Sequence, residues 1–272
     1  MDTASHSISP EQFAAHLGRP DAPLVLDVRR EERFAESERM LPAARRCAPE
    51  QVARFAASGS PAQVVVYCVH GLEIGQQAAA ELRAAGWDAR YLHGGIEGWI
   101  ERGLPTLRKR PDLGVTGERP SRWITRERPK IDRVACPWLV RQFIDPDAQF
   151  LYVPAGLVLE EARRLSAVAY DIAGAPITHD GELCSFDALL RAFDLREPSL
   201  LALARVVRGA DTGRLDLAPQ SAGLLAFSLG LARLHSDDQS MLRAALPVYD
   251  ALYAWCRAAQ DAQTDQAQGL AP

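Results

Sequence analysis

No two of the five cysteines (Cys47, Cys68, Cys136, Cys184 and Cys256) form a CxxC pair. Their odd number and wide spacing exclude a disulfide framework or a zinc ribbon and point to a reducing, cytoplasmic compartment. No apolar run reaches the roughly 20 residues that a membrane span needs. Ala222 to Leu234 comes nearest, and Gly, Ser and Arg interrupt it. The opening MDTASHSISP has neither a basic nor an apolar leader region, so no secretory signal is expected there. Lysine is scarce: Lys109 and Lys130 are the only two among 31 basic side chains, a bias expected of a GC-rich bacterial genome and silent on mechanism. Basic charge is not in surplus either. The 35 acidic side chains leave a formal charge of −4, which removes any global pull toward nucleic acid. What remains is 272 residues of ordinary globular composition, 47% apolar and 24% charged. At roughly 150 residues per domain, that length suits two domains.

The clearest boundary is TLRKRPDLGVTGERPS (106–121), where Pro, Gly and charge mix without apolar periodicity. A linker is expected over 107–121, between a domain at 1–106 and another at 122–260, with 261–272 a disordered polar tail. Before the linker, strand and helix signals alternate. Ser9, Pro10 and Gln12 form a capping box with proline at the first helical position. LVLDV (24–28), QVVVYC (63–68) and ARYLHGG (89–95) read as strands, and the Ala-rich stretch 74–85 as a helix ending at Gly86. Such alternation implies a parallel sheet covered on both faces. After the linker, WITRERP and FLYVP are short strand candidates flanking a helix near Cys136 to Phe143. AYDI (169–172) and ITHDGELCSF (177–186) read as strands or a hairpin. Helices then dominate: Pro198 opens one, 220–234 is apolar nearly all round and expected to be buried, and Ser236 with Gln239 is expected to cap a long last helix that Pro247 kinks. The fold class is therefore α/β followed by a mostly helical α+β domain.

Cys68 ends an apolar strand shortly before a helix. Ligands bind at the carboxyl ends of strands in open parallel sheets. A loop curling from such a cysteine into a helix can aim several N–H groups at one centre, lowering a thiol pKa and stabilising an anion above it. Gly71 suits the tight curvature. The competing reading is a cysteine buried as a small apolar residue.

The order LVLDVR, ERMLPAA, VVVYCVHG, ARYLHGGIEGW resembles the single-domain rhodanese family over about residues 7–106, carried by DVR at 27–29, the cysteine loop and the Gly94-Gly95…Trp99 segment. The resemblance implies a rhodanese-like sheet and a sulfurtransferase that needs no cofactor. Its cysteine takes a sulfane sulfur from a small-molecule or protein donor, becomes a persulfide and passes the sulfur to a thiol acceptor. Carried onto this chain, Cys68 is the nucleophile, Val69, His70, Gly71, Leu72 and Glu73 form the cradle, and Asp27 and Arg29 support the site. A C-x5-R phosphatase or arsenate-reductase loop is excluded, because the sixth residue after Cys68 is Ile74. Where rhodanese loops often carry arginine, this one has Glu73, which opposes an anionic donor such as thiosulfate; a protonated His70 offsets part of that. A non-catalytic, persulfide-sensing domain stays open beside the enzyme.

Residues 106–133 hold nine basic and four acidic side chains. Arg126 and Arg133, near the opening of the helix at Cys136, suit a tetrahedral oxyanion such as chromate or sulfate. The alternative is a solvated, charge-rich stretch paired with Glu127 and Asp132. Further on, His179, Glu182 and Cys184 fall within six residues. No metal-ligand spacing rule is met, yet such groups are costly to bury unless paired or coordinated. His179, Glu182 and Cys184 are therefore the candidate ligands of a metal ion of unspecified identity, against a plain hairpin with a buried cysteine. Asp211 and Asp216, in the polar loop 208–220, read as helix caps or as further ligands, and capping is the expected role.

WITRERPKIDRVACPWLVRQFIDP, FLYVP, CSFD, VRGADT-x-RLDLAPQSAGLLAFSLGL and the YDALYAWCR ending resemble the C-terminal domain of chromate-resistance protein B over about residues 122–257. That resemblance implies a part in chromate or heavy-metal response and assigns no catalytic residue. The expectation is a cytoplasmic sulfurtransferase fused to a domain that binds a metal, an oxyanion or the acceptor, without nucleic-acid or membrane partners. The alternative is a non-catalytic sensor or binding protein in the same response.

Overall fold

The computed structural model describes residues 6–269, with side-chain surroundings as far as residue 262. The chain divides into two units, Met1–Pro120 with Gln142–Pro146, and Ser121–Arg141 with Asp147–Pro272. Among the described residues, no helix is long and apolar enough to cross a membrane.

The first unit runs β1 (Ser7–Ile8), α1 (Pro10–Ala14), β2 (Leu24–Asp27), α2 (Glu31–Glu36), β3 (Arg39–Met40), β4 (Ala44–Arg46), α3 (Val52–Ser58), β5 (Gln63–Tyr67), α4 (Glu73–Ala84), β6 (Asp88–Leu92), α5 (Gly95–Glu101) and β7 (Leu107–Arg108). Five strands form a parallel sheet in the order β1-β6-β5-β2-β4. The valine run of β5 fits its central place: Val64, Val65 and Val66 are all buried, as a strand covered on both faces requires. α1 opens as its residues dictate. Ser9 Oγ accepts from Gln12 N–H at 3.1 Å, and Gln12 Oε1 accepts from Ser9 N–H at 3.0 Å. The chain leaves β5 for β6 on one side of the sheet and β2 for β4 on the other, so the crevice opens between the ends of β2 and β5.

The expected linker is corrected over 107–120, which belongs to this unit. Leu107 is buried and places β7 antiparallel to β3, while Val115 is buried and exchanges backbone hydrogen bonds with Arg110. Only two apolar anchors hold the segment, too few to register as periodicity.

The second unit runs β8 (Arg122–Arg126), α6 (Asp132–Leu139), β9 (Gln149–Val153), α7 (Val158–Leu165), β10 (Val168–Ala169), α8 (Ser185–Ala192), α9 (Pro198–Asp211), α10 (Ser221–Leu234) and α11 (Asp238–Gly269). Its sheet is parallel, in the order β10-β8-β9. Pro137 inside α6 cannot donate to the Arg133 carbonyl, and the Tyr170 hydroxyl donates to that carbonyl instead, at 3.3 Å.

Four expectations change here. ITHDGELCSF forms no ladder, only single bridges from Tyr170 to Ile177 and from Asp180 to Leu183. α10 is not buried all round: Leu224, Ser228 and Ala232 face inward, whereas Phe227 and Leu234 are exposed. Asp237 rather than Ser236 caps α11, accepting from Ser240 N–H at 2.7 Å. That helix continues unbroken past Pro247 to Gly269, so 261–269 is helical; the rest of the expected tail, 270–272, lies outside the described residues.

Candidate functional site

Cys68 follows the last residue of β5, and α4 begins at Glu73. The thiol carries only 4% exposure, yet it lines a cavity of about 330 Å³ together with Arg29, Arg30, Arg33, Val69, His70, Leu72, Glu73 and Ile74. Among the described residues, no acceptor takes the N–H groups of Val69 to Glu73. The loop is pinned from the other side. The Cys68 carbonyl accepts from Ile96 N–H at 3.0 Å and the Val69 carbonyl from Glu97 N–H at 3.1 Å. Gly71 has φ +67°, and a Cβ there would meet the Gly94 and Gly95 amide nitrogens at 2.8 Å. Gly75 passes so close that its Cβ would lie 3.3 Å from the Cys68 sulfur.

Arg29, which lines this cavity, and Asp27 are buried, 2% and 0% exposed, with Arg29 Nη2 donating to Asp27 Oδ2 at 2.6 Å. The Tyr67 hydroxyl donates to the same oxygen at 2.7 Å. Burial pushes the Tyr67 hydroxyl pKa well up, and the Asp27 charge adds to it. Arg29 also donates to the Arg39 carbonyl at 3.0 Å, so this guanidinium holds the β2 end in place and its charge is met by Asp27. Two further arginines line the cavity: Arg30, on the loop after β2, and Arg33, in α2, whose guanidinium also pairs with Glu36 at 3.1 Å. Neither was singled out from the sequence.

The second unit gathers a different set. His179 Nε2 lies 3.2 Å from Asp171 Oδ1, 3.2 Å from Asp211 Oδ2 and 3.5 Å from Asp132 Oδ2. Asp132 is fully buried at the start of α6, and its two oxygens accept from Ser185 and Phe186 N–H at 2.7 and 2.9 Å, at the N-terminus of α8. Asp171 accepts from the Ser185 hydroxyl at 3.1 Å and pairs with Arg133 at 3.1 Å and Arg126 at 3.3 Å. Contact with Asp132, then the charges of Asp132, Asp171 and Asp211, pushes the His179 pKa up to about 9. Burial, followed by the neighbouring carboxylates Asp132 and Asp171, pushes Asp211 up to about 6.

Family models match both units: the rhodanese-like domain over residues 9–102, and the ChrB C-terminal domain over 123–256. The chain joins a rhodanese-like domain to a ChrB C-terminal domain. It is similar to protein ChrB of Cupriavidus metallidurans, 36% identical over 152 residues, 52% of this chain. The chain spans under half of that relative, 45% of its length. Among solved structures it is similar to a thiosulfate sulfurtransferase from Pseudomonas aeruginosa, 28% identical over 38% of this chain and 19% of that one, TM-score 0.32. It is also similar to a rhodanese homologue from Thermus thermophilus, 30% identical over 34% of this chain and 98% of that one, TM-score 0.28.

In the rhodanese-like domain Val69, His70, Leu72, Glu73 and Arg29 line one cavity with Cys68, whereas Gly71 and Asp27 are not part of its lining. In the ChrB C-terminal domain the expected trio His179, Glu182 and Cys184 does not converge. Glu182 is exposed and lies 3.8 Å from Arg214. The Cys184 sulfur is buried, 3.3 Å from Asp187, and burial raises its pKa far above the thiol range. Arg126 and Arg133 meet Asp171, so two of the charges meant for an oxyanion are already engaged. Asp211 ends α9 inside the cluster instead of capping a helix, while Asp216 pairs with Arg214 at 3.0 Å. Sequence spacing hid the cluster because its members stand on four separate segments.

Proposed function

We propose that residues 9–102 carry out rhodanese-type sulfur transfer through a persulfide on Cys68. The observation that supports it most is Cys68 lining a cavity at the end of β5, on a loop whose Val69 to Glu73 N–H groups meet no acceptor among the described residues. Those donors suit an anionic sulfur held over Cys68, where preorganised N–H groups act most strongly in a partly dry site. In the first step the Cys68 thiolate attacks the outer sulfur of the donor. A Cys68 S–S bond forms, the donor S–S bond breaks, and the leaving group departs with the electron pair; with thiosulfate it is sulfite. In the second step an acceptor thiolate attacks the outer sulfur of the persulfide, and Cys68 leaves as thiolate. Sulfur passes from donor to acceptor thiol through two S–S exchanges, with no external oxidant and no cofactor.

Arg30 and Arg33 at the cavity favour an anionic donor, and Glu73 opposes one. The ChrB C-terminal domain is read as a binding module that links this chemistry to chromate or heavy-metal response. Intact-mass analysis tests the sulfur transfer: thiosulfate should add one sulfur atom to the chain, mapped to Cys68, and a thiol should remove it. A chain that binds sulfur at Cys68 without yielding it to thiol acceptors would instead favour the persulfide sensor.

A further inference from the structure

We infer that the ChrB C-terminal domain holds a first-row divalent transition-metal ion between Asp132, His179 and Asp211, a site independent of the Cys68 chemistry. Oxygen atoms of the two carboxylates and Nε2 of the imidazole all lie within 4.8 Å of one another, close enough to share one ion after small side-chain adjustments. They come from the start of α6, the turn after Ile177 and the end of α9, so distant parts of the unit converge on one point.

Charge argues for a cation and against the oxyanion. Three carboxylates face His179, but both arginines are aimed at Asp171. Asp132 and Asp211 thus share the His179 imidazole and, among the described residues, pair with no arginine. Two carboxylates, a neutral imidazole and one dication sum to zero. A chromate or sulfate entering the same point would meet the carboxylates of Asp132, Asp171 and Asp211.

The surroundings also resemble the supporting shell of a metal site, where outer groups fix the ligands. Two N–H donors from α8 orient the Asp132 carboxylate. Ser185 and Arg133 hold Asp171 beside the imidazole. A mixed nitrogen and oxygen set suits Zn²⁺, Fe²⁺ or Mn²⁺ better than Mg²⁺ or Ca²⁺, which favour all-oxygen cages. His179 is 39% exposed, so the site has an entry path.

The test uses the full chain, stripped with chelator and titrated calorimetrically with Zn²⁺ and, separately, Mn²⁺ and Mg²⁺. One equivalent of Zn²⁺ or Mn²⁺ should bind, and Mg²⁺ should bind far more weakly. His179→Ala and Asp211→Asn should each weaken binding by about tenfold or more, and Glu182→Gln should leave it unchanged. Asp132 is left alone because it caps α8. On the wild-type chain, Zn²⁺ X-ray absorption should show imidazole and oxygen neighbours and no sulfur. Absence of a stoichiometric site, wild-type affinity in both variants, sulfur ligation, or preference for Mg²⁺ would each overturn the assignment.

Discussion

The Cβ that an alanine would carry at Gly71 falls 2.8 Å from the Gly95 amide nitrogen, and a Cβ at Gly95 falls 2.6 Å from the Gly71 amide nitrogen. The cysteine loop and the turn entering α5 therefore touch backbone to backbone, with no room for a side chain on either. Both glycines also have positive φ, +67° and +60°. Gly71→Ala and Gly95→Ala should each cost about 1–3 kcal/mol and impair sulfur transfer by displacing the loop. Denaturant unfolding with parallel turnover checks this; either variant with wild-type stability and rate would mean the loop tolerates the shift.

Glu73 stands at the same cavity as Arg30 and Arg33. Glu73→Arg should raise kcat/KM for thiosulfate by about fivefold at low salt, the scale of a single partly solvated charge contact. Arg33→Glu should lower it. Both effects should shrink as ionic strength rises. Equal rates in both variants would remove electrostatics from donor choice.

Burial raises the thiol pKa of Cys47 and Cys256 to about 11, and of Cys136 and Cys184 further still. At pH 8 all four stay protonated and enclosed, and their reactivity grows only as pH climbs toward those values. Iodoacetamide should therefore label the native chain once, at Cys68. Prior treatment with thiosulfate should change the adduct by one sulfur atom. Labelling at the other four first would contradict this.

Asp27 is buried with Arg29 and Tyr67 both donating to it. Asp27→Asn leaves the guanidinium without its counter-charge in the interior, at a cost of about 3–5 kcal/mol. The loss should appear as a lowered denaturation midpoint. A change below about 1 kcal/mol would show that the pair contributes little, as exposed pairs do.

Trypsin should spare the segment after α5. Lys109 N–H donates to the Glu38 carbonyl, Arg46 N–H donates to the Gly117 carbonyl, and Leu107 is buried. Arg110 and Arg119 also precede proline, which trypsin does not cut. Rapid native cleavage at Arg108 or Lys109 would show that β7 opens readily.

The parallel sheet was legible because LVLDV and QVVVYC are apolar runs bounded by turn residues, and the Ser9 cap because its three residues are adjacent. Cys68 was legible by its place between strand and helix. Elsewhere the deciding partners were distant. Asp132 and His179 stand on different segments, and only tertiary packing brings them together. The crowding of His179, Glu182 and Cys184 was real in sequence. The turn at Asp180 to Leu183 then sends Glu182 to solvent, while Cys184 enters the cap of α8. Arg30 and Arg33 escaped notice because a charged α2 looks like any solvated helix face.

Single-turnover sulfur transfer by the wild-type chain and by Cys68→Ser is the most direct measurement. With excess thiosulfate, the wild type should release one equivalent of sulfite as Cys68 gains one sulfur, then return that sulfur to a thiol acceptor. Cys68→Ser, folded as judged by circular dichroism, should release none. Sulfite release by the serine variant at the wild-type rate, or a wild-type chain that never gains sulfur at Cys68 from thiosulfate or a persulfide donor, would contradict sulfur transfer through this cysteine.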